Sequence, residues 1–185
     1  MINATQIRKG NVIIFDGIPH RVLSFEHRSP GKGAAFVRVL LRNLESGASY
    51  DNRFSSSDSV EKATLEQKEM EYLYKDGDLF AFMDTENYEQ LSLNSELLGD
   101  YEKFLKEGQV VEIQFFGEKP IGIDPPTSVI LEVTETEPEL KGSTASNSPK
   151  PATMETGTVV MVPPFVKIGD KVRITTADGK YQERA

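Results

Sequence analysis

Apolar and polar residues alternate in short runs along most of this chain, and turn-forming pairs separate the runs. Alternation with a period of two is the pattern of a half-buried strand. In the first third, Asn11-Val12-Ile13-Ile14-Phe15 leads through Asp16-Gly17 into Arg21-Val22-Leu23. Asp-Gly between apolar runs is a strong hairpin signal, because both residues tolerate the backbone angles that a tight turn demands. A second hairpin joins Arg21–His27 to Ala35–Arg42 through Ser29-Pro30-Gly31-Lys32-Gly33. The turn Glu45-Ser46-Gly47 then leads into Tyr50–Phe54, and a small barrel of about five or six strands fits this third of the chain. Ser55–Ser59 is polar and soft, so the first boundary is expected near residue 63.

The middle third opens with Met70, Tyr72 and Tyr74 alternating against Glu69, Glu71 and Lys75. Asp76-Gly77-Asp78 turns that strand into Leu79–Asp84. The spacing of Leu97, Leu98, Tyr101, Phe104 and Leu105 predicts one helix from about Ser95 to Glu107, capped by Asn94 or Ser95 and ended by Gly108. Val110–Phe116 resumes as a strand, so this unit reads as a barrel of the oligonucleotide/oligosaccharide-binding (OB) type. A third unit begins at Ser128–Thr134 after Asp124-Pro125-Pro126. It continues through the loop Gly142–Pro149, the strands Val159–Val162 and Lys171–Ile174, and a last hairpin at Asp178-Gly179. The expectation is a mainly β protein of three small barrels, at residues 1–63, 64–127 and 128–185.

Charge changes this picture. The net charge is −8, but nine Lys and Arg stand against six Asp and Glu over residues 1–64. The balance is five against fifteen over 65–130, and seven against eight over 131–185. Only the third carrying Lys32 is basic, which suggests local contact with RNA rather than avid binding along a phosphate backbone. Cysteine is absent, which excludes disulfides and thiolate metal sites. His20 and His27 are the only histidines and lack metal-ligand neighbours, so both are expected at a strand edge or surface and no metal site is expected. The first residues lack a basic segment followed by an apolar run, and no apolar stretch approaches membrane-spanning length. A soluble cytoplasmic protein without membrane contact is expected.

Catalytic chemistry finds little footing. Glu66, Glu69, Glu71, Asp76 and Asp78 read as water-facing charges on alternating strand positions. No phosphate loop, nucleophile elbow or metalloprotease motif is present. Ser29 beside Lys32 on an exposed tip offers neither a buried base nor an oxyanion hole. The tip itself, Ser29, Pro30, Gly31, Lys32 and Gly33, is the candidate functional element: proline presets one backbone angle, glycines flank the lysine, and a single long cation stands at the apex.

Three stretches, in order, resemble bacterial translation elongation factor P. They are Pro30-Gly31-Lys32-Gly33 with Ala35–Arg38, Tyr72–Asp78 with Phe82-Met83-Asp84 and Tyr88-Glu89-Gln90, and Lys150-Pro151-Ala152 with Gly157–Pro163, Val166 and Gly169. The resemblance covers essentially the whole chain. It implies a KOW/SH3-like N-terminal barrel followed by two OB-type barrels in an L-shaped monomer. It also implies a partner, the 70S ribosome with both its subunits, bound between the peptidyl and exit tRNA sites to rescue stalls at consecutive prolines. Lys32 would reach the CCA end of peptidyl-tRNA, in many bacteria carrying an extension added by a lysine-modifying enzyme, and no other cofactor is expected. The archaeal and eukaryotic relative uses a hypusine-modified lysine in the equivalent loop. Arg8, Lys9, Arg28, Arg38 and Arg42 are candidate contacts to tRNA phosphates. Gly142, Ser143, Thr144 and Asn147 occupy a loop that in the family lies near the small subunit and the exit-site codon, with Ser143 where family members often carry an acid. Two other readings are a paralogue with a different ribosomal preference, which the intact PGKG tip disfavours, and a general single-strand RNA binder. The latter should pair a basic groove with exposed aromatics, whereas the aromatic-rich middle third is acidic.

Overall fold

The structure is a computed structural model that describes residues 1–139 and 148–185. It is mainly β. The first sheet contains β1 (Ile2–Asn3), β2 (Val12–Phe15), β3 (Ile18–Arg28), β4 (Phe36–Asn43), β5 (Ser49–Ser55) and β6 (Ser59–Lys62), in the order β1-β6-β2-β3-β4-β5. β2 and β3 join through Asp16 (φ 52°) and Gly17 (φ 77°), the left-handed pair that matches strand twist. The serine-rich stretch after β5 makes a turn and is followed by β6, which pairs with both β1 and β2.

β2 is buried on both sides, which is why its sequence is continuously apolar instead of alternating. Ile13 faces a core of Ile7, Val22, Val37, Val39, Leu41, Phe54 and Val60. Val12 faces a smaller cluster with Ala63 and Ile121, against which Ile14, Leu44, Leu65 and Phe116 also pack. Residues 1–66 and 115–121 accordingly form one compact unit, and residues 67–114 and 122–185 form the other.

The second sheet contains β7 (Glu66–Asp76), β8 (Leu79–Asp84), β9 (Gln90–Asn94), β10 (Val110–Phe116) and β11 (Lys119–Asp124), ordered β11-β10-β7-β8-β9. Met70 and Tyr72 are buried as their alternation predicts. Tyr74 is not: the register of β7 shifts between Tyr72 and Tyr74, and the residue is 52% exposed. The expected helix is also shorter. α1 covers only Ser95–Leu98, with the Asn94 side chain accepting from the Leu97 N–H at 3.1 Å. Gly99 then adopts φ 58° and ψ −143°, and a 3₁₀ segment, Gly99–Phe104, carries Tyr101 and Phe104 into the core.

The third sheet contains β12 (Ser128–Thr136), β13 (Lys150–Met154), β14 (Val159–Val162), β15 (Lys171–Thr175) and β16 (Tyr181–Arg184), ordered β14-β13-β12-β15-β16. Val129, Leu131, Val133, Met154, Val160, Val162, Val172 and Ile174 alternate inward along these strands. No helix of the described residues is long and apolar enough to cross a membrane.

Candidate functional site

β3 and β4 form the longest hairpin of the first sheet, and the Lys32 tip closes it. Arg28 pairs with Phe36 as the last rung, leaving Ser29–Ala35 beyond the ladder. Ser29, Pro30, Gly31, Lys32 and Gly33 are all exposed. Gly33 sits at φ +124°, where a side chain would be strained, although an added Cβ would only touch Pro30 Cγ at 3.8 Å. Backbone conformation, not space, is what calls for glycine there.

Below the tip the pleat sorts the side chains. Val37, Val39 and Leu41 point into the barrel and are buried, so Phe36, Arg38 and Arg42 share the outer face. Register places Glu26 and Arg28 of β3 and Asp51 and Arg53 of β5 on that same face. Arg28 pairs with Glu26 at 2.9 Å, and Arg38 makes two hydrogen bonds to Asp51. Those bonds, and then the Asp51 charge, raise the Arg38 pKa above its already high ordinary value. The guanidinium of Arg53 lies 4.1 Å from the centre of the Phe36 ring.

Three of the five expected phosphate contacts, Arg28, Arg38 and Arg42, are thereby brought to one face, with Arg28 and Arg38 exposed and Arg42 half-buried. Arg8 and Lys9 are exposed outside it. Arg8 donates to the carbonyls of Thr5 and Ile7 at 2.8 Å and lies 5.2 Å over the ring of Phe25, which shares the opposite face with Val39. Arg53 was not among the expected residues. The period of β5 could have found it, since it stands two positions from Asp51.

His20 departs from expectation. It is buried, not at a surface: Nδ1 donates to the Ile18 carbonyl at 2.8 Å, and Nε2 shares a hydrogen bond with the Tyr50 hydroxyl at 2.6 Å. Phe15 and Tyr50 pack edge-on against it. His27 is exposed near the tip, as expected. Glu66, Glu69, Asp76 and Asp78 are exposed and Glu71 is half-buried. No group of three or more metal-binding side chains converges among the described residues. The loop Gly142–Asn147 lies outside the described residues.

Comparison with known families matches three family models in chain order. They are the elongation factor P KOW-like domain over residues 3–60, the elongation factor P OB domain over 65–123, and the C-terminal domain of elongation factor P over 129–184. A protein named elongation factor P from Thermoanaerobacter sp. (strain X514) is 49% identical over 184 residues, covering 100% of both chains. One of the same name from Alkaliphilus oremlandii (strain OhILAs) is 50% identical over the same span and coverage. Among solved structures, a eukaryotic translation initiation factor 5A from Methanococcus jannaschii is 22% identical with a TM-score of 0.45, covering 66% of this chain and 94% of that one.

Proposed function

The chain belongs to the elongation factor P family, and from that premise we propose that it binds the ribosome between the peptidyl and exit tRNA sites and lays Lys32 against the CCA end of peptidyl-tRNA. Its relatives are named elongation factors, so its place is in translation elongation and it is not an enzyme. The finer reading is promotion of peptide-bond formation at consecutive prolines by a monomer that contacts both ribosomal subunits.

One observation carries this reading: a solvent-exposed lysine stands on a tip beyond the last rung of a hairpin whose outer face carries several arginines. Proline is a poor nucleophile, and a proline-rich nascent chain favours unproductive placements of the peptidyl end. Holding reacting groups in a near-attack geometry converts that orientational loss into rate. A lysine ammonium is a compact point charge with rotatable donors, suited to the sugar-phosphate of the CCA end. Arg28, Arg38 and Arg42 on the outer face, and Arg8 and Lys9 away from it, would fix register on tRNA phosphates. The ribosome remains the catalyst, and this chain positions its substrate. The exposure of Lys32 also suits a modifying enzyme, and a covalent extension would lengthen its reach.

Reconstituted translation of a reporter with consecutive prolines tests the proposal. Protein from the native source should relieve the stall, and Lys32→Ala should not, while both still bind ribosomes. Failure of the native protein to relieve the stall, despite ribosome binding, would refute the proline-specific reading. Intact mass of the native-source protein decides the extension: a mass equal to the bare sequence rules it out.

A further inference from the structure

The tip is held at its root by a turn that pattern alone marks as soft. Ser55–Asp58 is cross-tied: the Ser55 N–H donates to Asp58 Oδ2 at 2.8 Å, and the Asp58 N–H to the Ser55 carbonyl at 3.0 Å. From this turn Ser56 reaches both legs of the Lys32 hairpin. Its N–H donates to the Ala35 carbonyl at 3.0 Å, one residue past the last strand pairing of Phe36 with Ser55. Its hydroxyl shares a hydrogen bond with His27 Nε2 at 3.3 Å.

The two faces of the root are gripped separately. His27 pairs with Val37 and lies on the barrel side, whereas Phe36 lies on the outer side, where the Arg53 guanidinium covers its ring at 4.1 Å. Arg53 and Ser56 both belong to β5 or the turn that follows it. One segment therefore clamps the hairpin from both faces at the level where its own ladder ends.

We propose that Arg53 and Ser56 are positioning residues that fix the direction in which the Lys32 tip leaves the barrel. The argument rests on the function proposed above for what the tip does, but not for whether it is braced. A lever whose end must meet one reactive centre loses most when its root hinges. A small angular play at Arg28 and Phe36 is multiplied along the loop to Lys32.

Two measurements on Phe36→Ala, Arg53→Ala and Arg53→Lys decide it. In the free protein, nuclear magnetic resonance order parameters for residues 29–35 and amide exchange at Ser56 read the brace directly. Loss of the cation–ring contact should speed Ser56 exchange about two- to fivefold in the alanine variants, with amides of Ile13 and Val39 unchanged. Arg53→Lys, which keeps the charge but loses the flat guanidinium, should restore it only in part. In stall relief, the alanine variants should lower the maximal rate with little change in the concentration giving half of it. Phe36→Ala removes no charge, so a matching loss there separates bracing from direct phosphate contact by Arg53. Unchanged order parameters and exchange would overturn the brace. Increased mobility with full stall relief would reduce it to a structural contact and overturn the positioning role. If the unaltered protein relieves no stall, the function reading fails while the exchange data still decide the brace.

Discussion

Asp51 holds Arg38 through both carboxylate oxygens: Nε donates to Oδ1 at 3.1 Å and Nη2 to Oδ2 at 3.0 Å. Both side chains are more than half exposed, so the pair adds little to folding. Its effect is on availability: an arginine facing the proposed tRNA surface is already neutralised by its own sheet.

Asp51→Asn should therefore tighten ribosome binding at low salt without moving the melting temperature. Freeing one cation should steepen the dependence of log K on log salt by about one counterion, whereas Arg38→Ala, which removes a cation already paired with Asp51, should change it much less. Ribosome binding across a potassium series measures both slopes. Identical slopes in the two variants would remove Arg38 from the phosphate contacts.

Ile121 is 2% exposed in the cluster with Val12 and Ala63. Ile121→Ala removes three heavy atoms from a packed site and should cost about 2–5 kcal/mol by urea denaturation. The loss should appear in the melting of residues 1–66, because Ile121 belongs to that compact unit. A change confined to probes elsewhere would contradict this placement.

Gly99 ends α1 at φ 58° and ψ −143°, a region close to that reserved for glycine. Nothing lies within 4 Å of a Cβ built there, so Gly99→Ala should cost backbone strain alone, on the order of 1–3 kcal/mol. If the alanine variant is instead as stable as the parent, the helix has simply continued through residue 99.

These residues show where pattern suffices. Asp16-Gly17 and Asp178-Gly179 announce their turns locally, and the Pro/Gly composition of the tip announces its exposure. The alternation of Val37, Val39 and Leu41 assigns the faces of β4 without any tertiary knowledge. Other features depend on partners distant in sequence. Ile121 finds its cluster through Val12, and His20 is buried because Tyr50, thirty residues on, supplies the hydroxyl that satisfies Nε2. The shift in β7 turns Tyr74 outward although its spacing from Tyr72 is that of an inward residue. The helix prediction fails for a conformational reason, since five well-spaced apolar residues outweighed one glycine in the pattern but not in the backbone. Within the candidate site, the exposure of Lys32 was legible from its own turn. The period of β5 places Arg53 on the face of Asp51, but its packing on Phe36 was not legible, because that ring lies across the sheet.

Tyr101 supplies a prediction in alkaline solution. Burial pushes its phenol up to about 12, only partly offset by the hydrogen bond that Gln109 Nε2 donates to its hydroxyl at 2.6 Å. An unfolded phenol ionises near pH 10, so between about pH 10 and 12 the unfolded chain binds fewer protons at this site than the folded one. The contribution of Tyr101 to stability is thus fully present below about pH 10 and is lost as pH rises toward 12. Burial also raises Tyr50 and Tyr72, so they add to the same trend. Urea denaturation at stepped pH should show stability falling across this window, with a shallower slope in Tyr101→Phe. Phenolate absorbance should show a component that ionises well above pH 10 and is lost in Tyr101→Phe. An unchanged slope in Tyr101→Phe would mean that its hydroxyl is as well solvated in the fold as in the unfolded chain.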